Sequence, residues 1–125
     1  MAPILENTYD LVTLANTGQM VTAIERYYAE DVEIVEATGE TFRGRETQIE
    51  RMRGWLGSIE ATHGSGVRAV AADEEAGVSL VETWMDVTFQ DGQRVLMEEV
   101  GRYRWEGGKV VHARFYSQPG DGASG

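Results

Sequence analysis

The sequence contains no cysteine and only two histidines among its 125 residues. Without a thiol, the chain cannot form a disulfide framework, a zinc ribbon, an iron–sulfur cluster or a cysteine nucleophile. His63 and His112 lie far apart in the sequence, which argues against a multi-histidine metal centre. We therefore expect no metal site and no cofactor. Carboxylates and tyrosines are the leading reactive side chains that remain.

Basic residues and long hydrophobic runs are also scarce. Eleven lysines and arginines stand against 21 aspartates and glutamates, which gives a formal net charge of −10. This charge would repel phosphate backbones and anionic lipid, so we expect neither nucleic acid nor a membrane as a partner. No segment approaches the ~20 apolar residues of a membrane span, and no basic, apolar leader begins the chain. These features predict a soluble, cytoplasmic protein.

The length and composition fit one domain of ordinary size. The hydrophobic fraction of 42% and the charged fraction of 26% are typical of globular proteins. We expect a single domain over residues 1–118. The polar, glycine-rich residues 119–125 are expected to form a flexible tail.

Helical spacing dominates the first half of the chain. An apolar stripe predicts a first helix that begins near Ile4 and ends at Thr17-Gly18, and a second that runs from Met20 to about Asp31. Period-two alternation predicts a short strand over 32–38, in which Ile34 and Glu36 share a face. A third helix is expected over 45–59.

The second half has the pattern of long β-strands separated by turns. We predict strands over 67–73, 78–90, 93–106 and 109–117, with Asp91-Gly92 as the strongest hairpin signal. Together they form an antiparallel meander, with Gly101 at a bend or bulge. Helices followed by strands predict an α+β fold in which the helices cover one face of a strongly curved sheet and enclose a pocket.

Three strings of residues, taken in order, resemble the nuclear transport factor 2-like superfamily, and in particular its SnoaL-like polyketide cyclase and ketosteroid isomerase branches. The strings are AEDVEIVE at 29–36, FRGRE at 42–46 and YRWEGGKVV at 103–111. The resemblance covers residues 9–117 and implies a cone-shaped fold. Members of this superfamily include enzymes, ligand binders and adaptor modules, so the fold alone does not assign an activity.

The resemblance also implies candidate catalytic residues. Glu36 stands where the isomerase branch keeps its general base, a carboxylate that takes a carbon-bound proton inside a dry pocket. Leu11 and Gly101 stand at the positions of that branch's oxyanion-stabilising tyrosine and aspartate, so steroid isomerisation by the family mechanism is not expected here. Strand alternation offers Glu99 as a second acid and Tyr103 as a hydroxyl donor.

The same alternation predicts strand residues in the wall of the pocket and on the opposite face of the sheet. It places Thr83, Met85, Gly101, Trp105 and Phe115 in the pocket wall. Tyr28 and Trp55, from the predicted helices, are further pocket residues, although large side chains of this kind more often pack in the core than contact a substrate. Trp84 and Tyr116 alternate to the outer face, beside charged residues. The resemblance implies that this outer face forms a homodimer.

Other interpretations of these residues compete with the catalytic one. Glu36 could equally be an acid paired with an arginine, and Glu99 a solvated strand acid. Asp86 matches the first acid of the epoxide hydrolase branch, but Trp84 and Phe115 stand where its arginine and second acid belong. The arginines at 43, 45, 51 and 53 are expected to pair with Glu46 and Glu50 rather than to bind an anion.

Two functions follow as hypotheses. The first is a small cofactor-independent enzyme of the ketosteroid isomerase or polyketide cyclase type. It would transfer a proton on a hydrophobic, carbonyl-bearing small molecule, with Glu36 as the base and Tyr103 or Glu99 as the donor. The second is a module of the same fold that binds a small ligand, or serves in dimerisation or as an adaptor, without catalysis.

Overall fold

The structure, a computed structural model, describes residues 3–117 as three helices and six strands. The helices are α1 (Ile4–Asn16), α2 (Met20–Tyr27) and α3 (Arg45–Gly57). The strands are β1 (Tyr28–Val35), β2 (Thr41–Arg43), β3 (Ile59–Asp73), β4 (Val78–Phe89), β5 (Arg94–Glu106) and β6 (Lys109–Ser117). The predicted tail, 119–125, lies outside the described residues.

All six strands form one sheet in the order β2-β1-β6-β5-β4-β3. The pairing of β1 with β6 is parallel and the other four pairings are antiparallel. Strands β3 to β6 are neighbours in chain order, which confirms the predicted meander. The α+β class is confirmed as well, because the helices precede and pack against a mostly antiparallel sheet.

The core lies between the helices and one face of the sheet, which we call the inner face. The fully buried strand residues Val32, Ile34, Val81, Val110 and Ala113 supply this face. The helices contribute buried residues to the same cluster, among them Leu11, Val12, Ala23, Ile24 and Ile49. Side chains alternate along β4, β5 and β6, so one face of the sheet packs against the helices and the other, which we call the outer face, carries many charged residues.

The second helix is shorter than predicted. It ends at Tyr27, and Tyr28 already has extended backbone angles of φ −83° and ψ 136°. The spacing of Tyr27 and Tyr28 fits a helix, but Tyr28 pairs with Val110 of β6. Pairing within the sheet overrides helical spacing at this point. The prediction that the helix continues to Asp31 is therefore wrong.

The first strand is displaced toward the N-terminus relative to its predicted bounds of 32–38. It ends at Val35, and a turn follows in which Gly39 N–H donates to the Glu36 carbonyl and Glu36 N–H to the Glu40 carbonyl. This turn leads into β2, which the sequence did not predict. Glu36 thus stands at the first position after the strand.

Strand β3 begins at Ile59, well before the predicted start at Val67. Gly64 and Gly66 have the composition of a loop, yet both lie within the strand. A Cβ atom at residue 66 would lie 2.6 Å from Nε1 of Trp84 on the neighbouring strand. The two glycines therefore make room for the Trp84 indole ring on the outer face.

Gly101 does not form the predicted bulge. It pairs with Val81 on one side and Phe115 on the other without a shift in register. The irregularity of this strand lies instead between Arg104 and Trp105. Among the described residues, no helix is long and apolar enough to cross a membrane.

Candidate functional site

A cavity of about 400 Å³ lies between the three helices and the inner face of the sheet. Its apolar wall includes Leu11, Val12, Met20, Ala23, Ile24, Met52, Trp55, Met85, Met97 and Phe115. Its polar groups include Tyr28, Glu36, Gln48, Arg51, Thr83, Glu99 and Tyr103. Concave sites of this size, largely apolar with a few polar groups, are typical of small-molecule binding.

Glu36 lies at the opening of this cavity. The turn after β1 places it there, and its side chain is 29% exposed. Oε1 of the carboxylate accepts a hydrogen bond of 3.3 Å from Nη1 of Arg51 in α3. The alternative in which Glu36 pairs with an arginine is therefore realised, although the pair lies within the cavity wall.

Arg51 is held on three sides. The same Nη1 donates to Oε1 of buried Gln48 at 2.6 Å, and the guanidinium carbon lies 3.5 Å from the centroid of the Phe42 ring. A guanidinium stacked on an aromatic ring and bonded to a buried amide has little rotational freedom. It consequently fixes the orientation of Glu36.

The arginines near α3 pair as predicted only in part. Arg51 contacts Glu36 rather than Glu50, and Arg43 pairs with Glu33 at 3.0 Å. Arg45 does approach Glu46, at 4.0 Å. Arg43 and Arg51 pair with acids outside the helix because β1 and the turn after it bring the carboxylates of Glu33 and Glu36 close to them.

Two buried tyrosines, Tyr28 and Tyr103, form what we call the tyrosine pair. Both line the cavity, and their side chains hydrogen-bond to each other. Burial raises the pKa of each phenol, and nearby Glu99 raises both further. Glu36 also raises the pKa of Tyr28. Both hydroxyls therefore remain protonated hydrogen-bond donors at neutral pH.

The structure thus brings together all three candidate catalytic residues. Glu36 and Glu99 are both close enough to Tyr28 for their charges to affect its pKa. Glu99 lies at the exposed rim of the cavity, whereas Tyr103 is buried within it. The hydroxyl of Tyr28 was predicted only as part of the pocket wall, since the sequence does not reveal that it meets Tyr103.

Gly101 positions the tyrosine pair without lining the cavity. A Cβ atom at residue 101 would lie 3.0 Å from the Tyr103 hydroxyl and 3.1 Å from Cε1 of Phe115. The ring of Tyr103 consequently folds back over Gly101 and packs edge-on against Phe115, with centroids 5.9 Å apart. The glycine matters here because it has no side chain.

The predicted pocket residues divide into two groups. Tyr28, Trp55, Thr83, Met85 and Phe115 lie in the cavity wall. Gly101 and Trp105 do not.

Trp105 lies in the core because its indole has partners there. Its Nε1 donates to buried Ser79 at 2.9 Å, and its ring packs edge-on against Tyr27 at 5.8 Å. Ser79 also accepts a hydrogen bond of 2.8 Å from Thr8. Strand alternation correctly predicted that Trp105 faces inward. Alternation alone cannot distinguish a side chain packed in the core from one that lines the cavity.

Two features of the cavity were missed. The Gln48–Arg51 contact needs α3 to pack beside the β1–β2 turn, and that turn was not predicted. Met85 was predicted in the pocket wall, but Met20, Met52 and Met97 line it as well, and their distribution over both halves of the chain gave no local signal. Flexible thioether side chains allow such a wall to adapt to different ligands.

Other chemistries lack their residues in the described part of the chain. No group of three or more metal-ligating side chains occurs between residues 3 and 117. Asp86, the candidate for the epoxide hydrolase type of site, pairs with Arg94 on the outer face through two hydrogen bonds of 2.9 and 3.0 Å. The hydrogen bonds from Arg94 lower the pKa of the Asp86 carboxyl. Asp86 does not line the cavity.

Comparison with known proteins agrees with this architecture. The family profile of the SnoaL-like domain matches residues 9–113. A proposed SnoaL-like polyketide cyclase from Mesorhizobium loti is 30% identical, with a TM-score of 0.82 over 93% of this chain and 99% of that one. No curated protein sequence matches.

More distant structures show the same fold. An LEH-like epoxide hydrolase from M. tuberculosis is 14% identical and has a TM-score of 0.74 over 94% of this chain and 84% of that one. A Catenulispora acidiphila protein with a ketosteroid isomerase-like fold, in complex with trimethylamine, is 19% identical and has a TM-score of 0.73 over 89% and 87%. The chain belongs to the SnoaL-like family and has the NTF2-like, ketosteroid isomerase-like cone fold.

Proposed function

We propose that the protein is a cofactor-independent enzyme of the ketosteroid isomerase or polyketide cyclase type, which transfers a carbon-bound proton on an apolar, carbonyl-bearing small molecule. One observation carries this proposal. Glu36 and both members of the tyrosine pair line one largely apolar cavity, and the charge of Glu36 reaches Tyr28 strongly enough to raise its pKa. A base and a neutral hydrogen-bond donor are the two groups that formation of an enolate needs.

Glu36 acts as the base in this proposal. Arg51 contacts Oε1, so Oε2 is the oxygen that accepts the proton from the carbon next to the substrate carbonyl. As that C–H bond breaks, its electron pair moves to form the enolate double bond, and charge develops on the carbonyl oxygen. Glu36 then returns the proton to a carbon of the same molecule, so that it is regenerated as the carboxylate.

The tyrosine pair stabilises the enolate oxygen. In this proposal Tyr103 donates to Tyr28, and the proton of the Tyr28 hydroxyl is directed to the ligand. The raised pKa of each phenol keeps this donor protonated throughout the reaction. A donor placed in an apolar site before reaction is worth about 3–4 kcal/mol to a developing oxyanion.

Exchange of carbonyl α-protons into deuterated water tests the proposal. An apolar ketone is incubated with the protein, and loss of its α-proton signal is followed by NMR. We expect the wild type to accelerate exchange and Glu36→Gln to lose about 100-fold or more of that acceleration. Exchange that is equal in the two proteins would refute the assignment of Glu36.

A non-catalytic ligand-binding module is the second candidate. The ion pair between Glu36 and Arg51 favours it, because a carboxylate already held by a guanidinium can serve to bind a polar group instead of removing a proton. This candidate predicts saturable binding of ketones without any acceleration of exchange. Measuring binding and exchange on the same samples separates the two functions.

We also propose that the outer face of the sheet forms a homodimer. Leu80, Leu96 and Tyr116 are exposed there, each between 44% and 48%. Arg102 and Arg114 pair across β5 and β6, while Glu82 lies one row away beside Val100 and Tyr116. A twofold axis between these two rows would place the arginines of one copy against Glu82 of the other, with the exposed apolar side chains beside them.

A further inference from the structure

A second groove adjoins the cavity at the end away from Glu36. It has a volume of about 260 Å³ and is bounded by the α1–α2 turn at Gly18, by the end of α3 at Leu56, and by Ile59 and Ser65 of β3. Ala15, Asn16, Met20 and Met85 line both this groove and the cavity. The two spaces therefore share one wall.

The shared wall contains two flexible side chains. Met20 and Met85 are unbranched side chains with three rotatable bonds each, so they can move aside at little energetic cost. A thin aliphatic chain can pass between two such side chains, whereas a fused ring system needs a wider gap. The second groove is mainly apolar where it meets them, and Leu56 at its outer edge is 38% exposed.

The spacing along α3 gives the length of the combined site. Gln48, which holds Arg51 beside Glu36, is eight residues before Leu56, or about 12 Å at 1.5 Å per residue. A ligand whose carbonyl lies at Glu36 must extend over about this distance before its far end enters the second groove.

We propose that the second groove is a subsite for the aliphatic tail of an elongated carbonyl compound, with Met20 and Met85 as the partition that the tail crosses. This proposal rests on the proposed function for the position of the carbonyl group. It adds the class of substrate: a molecule with one reactive carbonyl end and a straight apolar tail longer than the cavity alone can hold.

A series of straight-chain methyl ketones of increasing length tests this subsite. Dissociation constants are obtained by NMR titration of protein labelled at its isoleucine methyl groups, since Ile59 lines the second groove and not the cavity. We expect affinity to rise about two- to fourfold per added methylene, even beyond a chain length of about 12 Å, because each methylene is buried. The Ile59 methyl signal should shift only with the longer ketones.

Ser65→Phe adds a ring at a position that lines the groove and not the cavity, on the groove side of its strand partner Met85. We expect it to remove the gain in affinity for long ketones while leaving short ones unchanged. Val67→Phe is the matched control, because Val67 is on the same strand, is 39% exposed and lines neither space. If Ser65→Phe does not fold, Leu56→Ser, at an exposed position in the groove, should weaken binding of long ketones alone.

Two results would overturn the subsite alone. They are affinity that stops rising before the chain reaches the groove, and an Ile59 signal that never moves. Failure of every ketone to bind would overturn the subsite and the proposed function together. Where ketones bind, the proposed function fails separately, because chain-length dependence is read from binding and the role of Glu36 from exchange. Glu36→Gln should lose exchange and keep the dependence on chain length.

Discussion

The guanidinium of Arg51 lies 3.3 Å from the carboxylate of Glu36 at the opening of the cavity. Gln48 and the Phe42 ring hold Arg51 in place, so the carboxylate has a defined direction before any ligand binds. Preorganisation of this kind is what a base needs in order to reach a carbon-bound proton. Arg51 is therefore a positioning residue in this account.

Loss of Arg51 should slow catalysis more than it weakens binding. We expect Arg51→Met to lower the rate of ketone α-proton exchange about tenfold, with less than a threefold change in ketone affinity, because Glu36 loses its orientation. Arg51→Lys should restore part of the rate. Arg53→Met, at an exposed position two residues further along α3, is the control. Equal rates for Arg51→Met and Arg53→Met would contradict a positioning role.

A methyl group at residue 101 should disturb the tyrosine pair. It would lie 3.0 Å from the Tyr103 hydroxyl, so either Tyr103 or Phe115 must move. We expect Gly101→Ala to destabilise the protein by about 1–3 kcal/mol and to reduce exchange. Thermal and denaturant unfolding measure the first effect.

Gly54→Ala provides the contrast on α3. No atom lies within 4 Å of a Cβ placed there, and alanine favours a helix over glycine by about 1 kcal/mol. This variant should be as stable as the wild type or more so. A Gly101→Ala protein that is equally stable and equally active would show that the glycine is not needed for the position of Tyr103.

The tyrosine pair should make stability fall in alkaline solution. An unfolded phenol ionises near pH 10, whereas burial raises the pKa of Tyr28 and Tyr103 in the folded state. Above pH 10 the unfolded chain therefore releases protons that the folded chain retains. Each buried phenol then lowers the unfolding free energy by about 1.4 kcal/mol per pH unit, until its folded pKa is reached. Below pH 10 the phenols are protonated in both states, so their full contribution to the unfolding free energy is retained.

Denaturant unfolding between pH 9 and pH 12 (about one unit below and two above the ordinary phenol value) measures this effect. Tyr28→Phe or Tyr103→Phe should each reduce the slope of stability against pH by about 1.4 kcal/mol per unit. Tyr9→Phe, at a 51% exposed position, is the control. Identical slopes for the wild type and both core variants would mean that these phenols are not buried and protonated in solution.

The sequence predicted the class and the meander because those features depend on local patterns. The Asp91-Gly92 turn and the alternation along β4 and β5 are local features, and they predict the hairpin without any knowledge of distant contacts. The end of α2 was missed because the pairing of Tyr28 with Val110 joins distant parts of the chain. The start of β3 was predicted too late because the glycines at its beginning make room for Trp84, which lies on another strand.

The candidate site was predicted in its residues but not in its contacts. The family resemblance selected Glu36, and alternation selected Tyr103 and Glu99. The hydroxyl contact of Tyr28 with Tyr103, and that of Arg51 with Glu36, each need two elements to be packed in three dimensions. The position of Trp105 in the core depends on buried Ser79, which no local pattern identifies.

The outer face should hold two copies together. We expect the wild type to sediment at twice the chain mass, and Tyr116→Glu to shift it to the monomer, because the added charge would be buried between the two copies and would lie in the same row as Glu82. Tyr9→Glu, at an equally exposed position on α1, should remain dimeric. Analytical ultracentrifugation distinguishes these results, and a wild type that is monomeric at every concentration would refute the proposed interface.

The most direct test of the account compares Glu36→Gln with Glu33→Gln in the α-proton exchange of a bound ketone. Both acids belong to the β1 region and both contact an arginine, but Glu33 pairs with Arg43 on the outer face. At ketone concentrations that saturate all three proteins, we predict exchange at least about 100-fold slower in Glu36→Gln than in the wild type, and unchanged in Glu33→Gln. Equal exchange in the wild type and Glu36→Gln, with both binding the ketone, would contradict the assignment of Glu36 as the base.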